Sequence, residues 1–118
     1  MSSSPNDELA RRFTNTLAER YIVDIKAAIG LRFTRTIALI HELGGVAAVR
    51  RMMTTYATHP SEGYTKLWET GHLDLSFEAL MVTPRFAPLF EESELQWALQ
   101  RLSDYDYEPS PADRYDRR

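Results

Sequence analysis

The chain has 118 residues, 43% of them apolar and 26% charged, with a net charge of −3 at neutral pH, which is enough for one globular domain with a real core. It contains no cysteine, which excludes a disulfide scaffold, a thiolate metal site, an iron–sulfur cluster and a cysteine nucleophile. The longest apolar stretch, residues 43–49, is too short to cross a bilayer, and residues 1–8 have neither the basic start nor the apolar run of a secretory signal, so a cytoplasmic protein with no membrane partner is expected.

Residues 1–6 are rich in serine and predict a disordered tail. Asn6 or Asp7 then caps a helix, and Leu9, Phe13, Leu17, Tyr21, Ile25 and Ala28 recur at three- and four-residue steps as its apolar face. Gly30 ends it in the left-handed region, after about 22 residues or about 33 Å. A second helix is predicted over residues 32–43, with Phe33, Ile37, Ile40 and Leu43 as its stripe and Gly44-Gly45 as its stop. A third covers residues 46–57, with Val46, Val49, Met53 and Tyr56 facing inward. A short fourth helix covers residues 63–70, anchored by Tyr64, Leu67 and Trp68. Ser76 caps a fifth, with Phe77, Leu80 and Met81 inward and Glu78 in the first turn, where the helix dipole favours a carboxylate. Pro84 stops it. Phe86, Leu89 and Phe90 form an apolar strap, and Ser93 caps a last helix carrying Leu95, Ala98, Leu99 and Leu102. Residues 105–118 mix acids, tyrosines and prolines without a period and predict a disordered acidic and aromatic tail. The fold class is therefore all-α: a compact bundle of five to six helices in one domain spanning residues 7–104, two to three longer helices followed by short ones.

The stretch Gly63-Tyr64-x-x-Leu67-Trp68-Glu69-x-Gly71-x-Leu73-Asp74-Leu75-Ser76-x-Glu78, followed by Pro84-x-Phe86-x-x-Leu89-Phe90 and Glu94-Leu95-x-x-Ala98-x-x-Arg101-Leu102, resembles a recurrent pattern in a family of small uncharacterised bacterial proteins. It covers about a third of the chain. The resemblance implies a bacterial or phage source and a shared fold unit, and it brings no activity with it.

Charge is unevenly spread. Residues 11–52 carry eight bases against three acids, and residues 53–118 carry six against twelve. The two halves are expected to satisfy each other within one fold. Glu69 and His72 have the spacing of a bundle metal motif, but no second copy exists and Gly71 interrupts the helix between them; no metal or other cofactor is expected. His41-Glu42 are helix neighbours that point apart. No nucleophile elbow, phosphate loop or dinucleotide fingerprint is present. Residues 46–49, where a helix-turn-helix would read bases, are Val-Ala-Ala-Val and have nothing to read with.

The composition therefore predicts a non-catalytic protein–protein interaction or regulatory module. Its expected partner is another protein or a second copy of itself, held at the end of the first helix by Arg11, Arg12, Arg20 and Phe13. The self-association follows from the helix's length, since its stripe outruns the short helices that would cover it; the competing arrangement folds the strap at residues 86–90 back over that end. An alternative is a nucleic-acid-associated protein, or one that meets an acidic partner, through Arg32, Arg35, Arg50 and Arg51. A further alternative is a small enzyme with an unmarked site.

Overall fold

Arg20 to Asp24, in the middle of the first helical rod, wind as a π turn in which the Ile25 N–H reaches back to the Arg20 carbonyl. The reason lies in the sequence. Phe13, Leu17, Tyr21 and Ile25 are spaced four apart, and each four-residue step on a 3.6-residue helix drifts about 40° around the axis. A π turn winds more slowly and absorbs that drift, so all four side chains are buried. Beyond it the register differs from a straight helix: Ala28 is exposed, and Ile29 takes the inward place expected of it.

The computed structural model describes residues 4–116. Helix α1 (Pro5–Glu19) runs through the π turn (Arg20–Asp24) into α2 (Ile25–Ile29). After it come α3 (Thr34–Leu43), α4 (Gly45–Thr55), α5 (Glu62–Glu69), α6 (Phe77–Met81) and α7 (Glu92–Asp104), with single 3-10 turns at Leu73–Leu75, Ala87–Leu89 and Pro111–Asp113. Among the described residues there are no strands, and no helix is long and apolar enough to cross a membrane. The radius of gyration is 13.6 Å, that of one compact body at this length.

Capping explains most of the shifts in helix ends. Ser4, not Asn6 or Asp7, begins α1. Its hydroxyl accepts the Asp7 N–H at 3.1 Å while the Asp7 carboxylate accepts the Ser4 N–H at 3.4 Å, a reciprocal box that satisfies two orphan donors. Residues 4–6 therefore belong to the fold, and residues 1–3 lie outside the described range. Glu91 replaces Ser93 at the start of α7, with its own N–H donated to Glu94 at 2.9 Å. Ser76 caps α6 as expected and is itself buried, accepting the Ala79 N–H and donating to the Leu73 carbonyl at 2.7 Å.

The joint between α3 and α4 uses two glycines for two purposes. Gly44 has φ +81° and ψ 164°, a conformation that only glycine adopts without strain. Gly45 lets α1 and α4 touch: a Cβ there would lie 2.9 Å from the Thr14 Cα and 2.9 Å from the Phe13 ring. The Thr14 hydroxyl accepts the Gly45 N–H at 2.8 Å, which caps the start of α4 from another helix.

Phe86 and Phe90 fold back over Phe13, each with its ring centroid 5.3 Å from the Phe13 ring and edge-on to it. The strap thus covers the apolar stripe at Phe13, in the middle of α1. Trp68, expected as a core anchor, is 45% exposed. It sits at the margin of the face defined by Tyr64 and Leu67 and presents its edge to Tyr105 at 5.3 Å. Leu89 and Leu99 are partly rather than fully buried.

The C-terminal segment also departs from expectation. Asp106 takes a left-handed conformation (φ 63°), which aspartate tolerates better than most residues, and turns the chain back after α7. Tyr105, Tyr107 and Tyr115 then pack against the core. The Tyr115 N–H reaches the Val82 carbonyl at 2.7 Å, and its hydroxyl donates to Glu92 at 2.8 Å. Acid and proline content predicts disorder for residues 105–118, but three tyrosines give residues 105–116 enough apolar surface to dock. Residues 117–118 lie outside the described range.

Candidate functional site

α6 is buried on every side, so its second residue, Glu78, enters the core with it. The carboxylate is 2% exposed and its Oε1 has no hydrogen-bond partner. Burial raises its pKa to about 7, against the pull of its own backbone N–H and of the Arg101 guanidinium. Around it stand two phenols. Tyr21 accepts the Phe77 N–H at 3.1 Å through its hydroxyl. Tyr64 donates to the Arg101 carbonyl at 3.1 Å. Burial and the neighbouring Glu78 push both phenols well above the ordinary tyrosine range.

Arg101 is the other buried charge. Its guanidinium donates to the carbonyls of Tyr56 (2.7 Å) and Ala57 (3.4 Å), the exposed negative end of α4, where a cation is favoured. It also lies over the Trp97 ring at 4.8 Å. Neither Glu78 nor Arg101 was legible as a buried charge. Glu78 fits the ordinary first-turn carboxylate, yet one signal was present: it interrupts an otherwise apolar run, Phe77-x-Ala79-Leu80-Met81-Val82.

A cavity of about 20 Å³ lies against Glu78, Ser76, Tyr21 and Tyr64. Five of its lining residues, Phe33, Thr36, Met52, Ser61 and Gly63, also line an outer groove of about 470 Å³ between α3 and α5. Apolar side chains, Leu31, Leu39 and Met52 among them, form much of that groove. Arg32, Arg35, Lys66 and Glu62 bring charge to it. Lys66 has Glu69 at 3.7 Å. Arg32 and Arg35 are exposed and, among the described residues, have no carboxylate within ion-pair distance.

The four arginines of the expected basic face are thus divided. Arg32 and Arg35 line the α3–α5 groove, whereas Arg50 and Arg51 line a second one of about 700 Å³ between α1 and α4, next to Arg11. Arg50 is committed within the chain, its Nε 2.8 Å and its Nη2 3.1 Å from the Glu94 carboxylate, and that bidentate pair holds Glu94 below the usual carboxylate range. Of the residues assigned to a partner at the first helix, Arg11 and Arg12 both face Glu8 at 3.6 and 3.4 Å. Arg20 donates to the Asp74 carbonyl at 3.2 Å. Phe13 is completely buried and is a core residue, not a contact surface. The helix stripe that pointed to it is real, but the strap occupies it.

Among the described residues no three histidine, aspartate or glutamate side chains gather as a metal site. α5 ends at Glu69, and Gly71 (φ 77°) turns the chain before His72, so the Glu69/His72 pair does not share a helix face. No family model matches the chain, and no curated protein and no solved structure shows detectable similarity to it.

Proposed function

We propose that the protein is a non-catalytic interaction module of a bacterial or phage-infected cytoplasm, and that its groove between α3 and α5 takes an acidic segment of another protein. The observation that carries this reading is the state of Arg32 and Arg35, two guanidiniums without carboxylates at a groove with apolar walls. Arg11, Arg12 and Arg50 are each paired within the chain; Arg51, like Arg32 and Arg35, has no ion pair among the described residues, but it lies in the other groove beside the committed Arg50. Arginine forks recognise carboxylates, and an apolar-walled groove gives one long side chain of the segment a dry seat.

A nucleic-acid partner is less favoured. Glu62 shares the groove, the arginines fall on two separate grooves, and the net charge is −3, whereas nucleic-acid domains are usually basic overall. Self-association through the first helix has lost the exposed stripe that motivated it.

Fluorescence anisotropy with labelled acidic peptides tests the reading. Arg32→Glu with Arg35→Glu is expected to weaken binding at least tenfold, Arg51→Glu to leave it nearly unchanged, and added salt to weaken it. Equal loss from Arg51→Glu, or tighter binding of an RNA or DNA oligonucleotide, contradicts it. Sedimentation equilibrium without peptide is expected to give the monomer mass; a dimer mass that shifts with Arg35→Glu instead makes the acidic partner a second copy of the chain.

A further inference from the structure

The groove does not end at its apolar walls. Phe33 and Met52 line both the groove and the small cavity, which places the neck between the two at these side chains, and the inner lining includes Glu78, whose Oε1 has no hydrogen-bond partner. At Gly63 a Cβ would lie 3.2 Å from the Phe33 ring, so a larger residue on the first turn of α5 would press on the ring that lines both spaces. The cavity's volume of about 20 Å³ admits a single water-sized group. A primary ammonium has that size, and its donors suit a carboxylate and phenol oxygens. Its methylene stem suits a neck made of an aromatic ring and a thioether.

We propose that the inner cavity is a subsite for one primary ammonium group, and that the segment bound in the groove carries a lysine flanked by acidic residues, its ammonium on Glu78 and its flanking carboxylates on Arg32 and Arg35. This rests on the groove being the binding site, as proposed above, and adds what fills it. Above about pH 7 an acidic side chain driven inward would meet the ionised Glu78 carboxylate, which disfavours the reverse orientation. Lysine alone among the common side chains combines a stem that passes the neck with a head small enough for the cavity; the arginine fork is too broad.

The charges that face Glu78 make the site proton-linked in a definite direction. Tyr21 stands on the π turn, Tyr64 on α5 and Arg101 on α7; Thr36 of α3 and Met52 of α4 are uncharged. Both phenols are held protonated, so over the neutral range Glu78 is the group that changes charge. The preference for an ammonium therefore grows as the pH rises through about 7, where the carboxyl ionises.

The test compares three acetylated, amidated peptides, Glu-Glu-Lys-Glu-Glu and its analogues with norleucine or acetyl-lysine at the centre, by isothermal titration calorimetry at pH 6 and pH 8. The lysine peptide is expected to bind at least tenfold more tightly than either analogue at pH 8 and less selectively at pH 6. Glu78→Gln is expected to remove the preference and Glu62→Gln to retain it. Should Glu78→Gln fail to fold, the ¹³C carboxyl resonance of Glu78 in the unaltered protein serves instead: it is expected to shift with the lysine peptide and not with norleucine. Equal binding of lysine and norleucine peptides, or a preference that follows Glu62, overturns the subsite and leaves the groove reading standing; a single water then satisfies the Glu78 oxygen. Binding of none of the peptides removes both.

Discussion

Two clusters along the first helix, separated by about 12 Å of rise, hold it to the rest of the molecule, and they are built in opposite ways. At Phe13 the contact is dry. Two phenyl rings meet a third edge-on, and Gly45 brings the α4 backbone into direct contact. At Tyr21 the same stripe buries a phenol, and the oxygen comes with a polar company: a backbone N–H, a buried serine, and a carboxylate with an unused lone pair. The first end is complete as it stands. The second retains an unsatisfied acceptor beside a groove, which a structure tolerates at a cost unless something occupies it. On the reading proposed above, stability belongs to the Phe13 end, and binding to the Tyr21 end.

Substitutions separate the two. Phe13→Ala empties the centre of the aromatic cluster and is expected to cost about 3–5 kcal/mol in urea unfolding, by the same amount at every pH. Glu78→Gln is expected to change the pH dependence. The folded state holds its proton up to about pH 7, whereas an ordinary glutamate releases it near 4.5. The folded chain therefore binds the proton more tightly. The stabilisation is full below about 4.5, is lost as the pH rises through the interval to about 7, and amounts to about 3 kcal/mol. Urea midpoints of the glutamine variant should lack that fall and exceed those of the unaltered protein at pH 8. A parallel slope in both would place Glu78 in contact with water.

Gly45→Ala probes the dry end from the other side. Its Cβ would meet the Thr14 backbone, which cannot swing aside, and the expected loss is about 1–3 kcal/mol. A neutral or stabilising result in thermal unfolding would mean that α1 and α4 stand further apart. The smallest effect belongs to the Arg50–Glu94 pair, whose arginine is nearly half exposed. Arg50→Ala is expected to cost under about 1 kcal/mol, less in high salt, with peptide binding unchanged.

The dry end was largely legible in the sequence. Four-residue spacing named Phe13, Leu17, Tyr21 and Ile25, Gly44-Gly45 marked the joint, and the aromatic spacing of Phe86 and Phe90 offered the strap, though only as the competitor of self-association through Phe13. That spacing also contained the π turn, since a strict step of four cannot stay on one face of a regular helix. The polar end was not legible, because its parts come from distant places. Tyr21, Tyr64, Glu78 and Arg101 each have an ordinary local reading as a stripe residue, an anchor, a first-turn acid or a last-turn base. Their convergence is tertiary. The docking of residues 105–116 was hidden for a similar reason: the tyrosines that order it lie among acids and prolines that alone favour disorder. The sequence grouped Arg32 and Arg35 with Arg50 and Arg51, and helix register does not reveal that the two pairs line different grooves.

The division of labour between the two ends is tested most directly by following backbone amide resonances while Glu-Glu-Lys-Glu-Glu peptide is added. The account predicts that residues 32–36 and 61–66, with Glu78, shift together and saturate at one peptide per chain, while residues 10–14 and 44–51 stay still. Shifts centred on residues 10–14 and 44–51, or none at all, would contradict it.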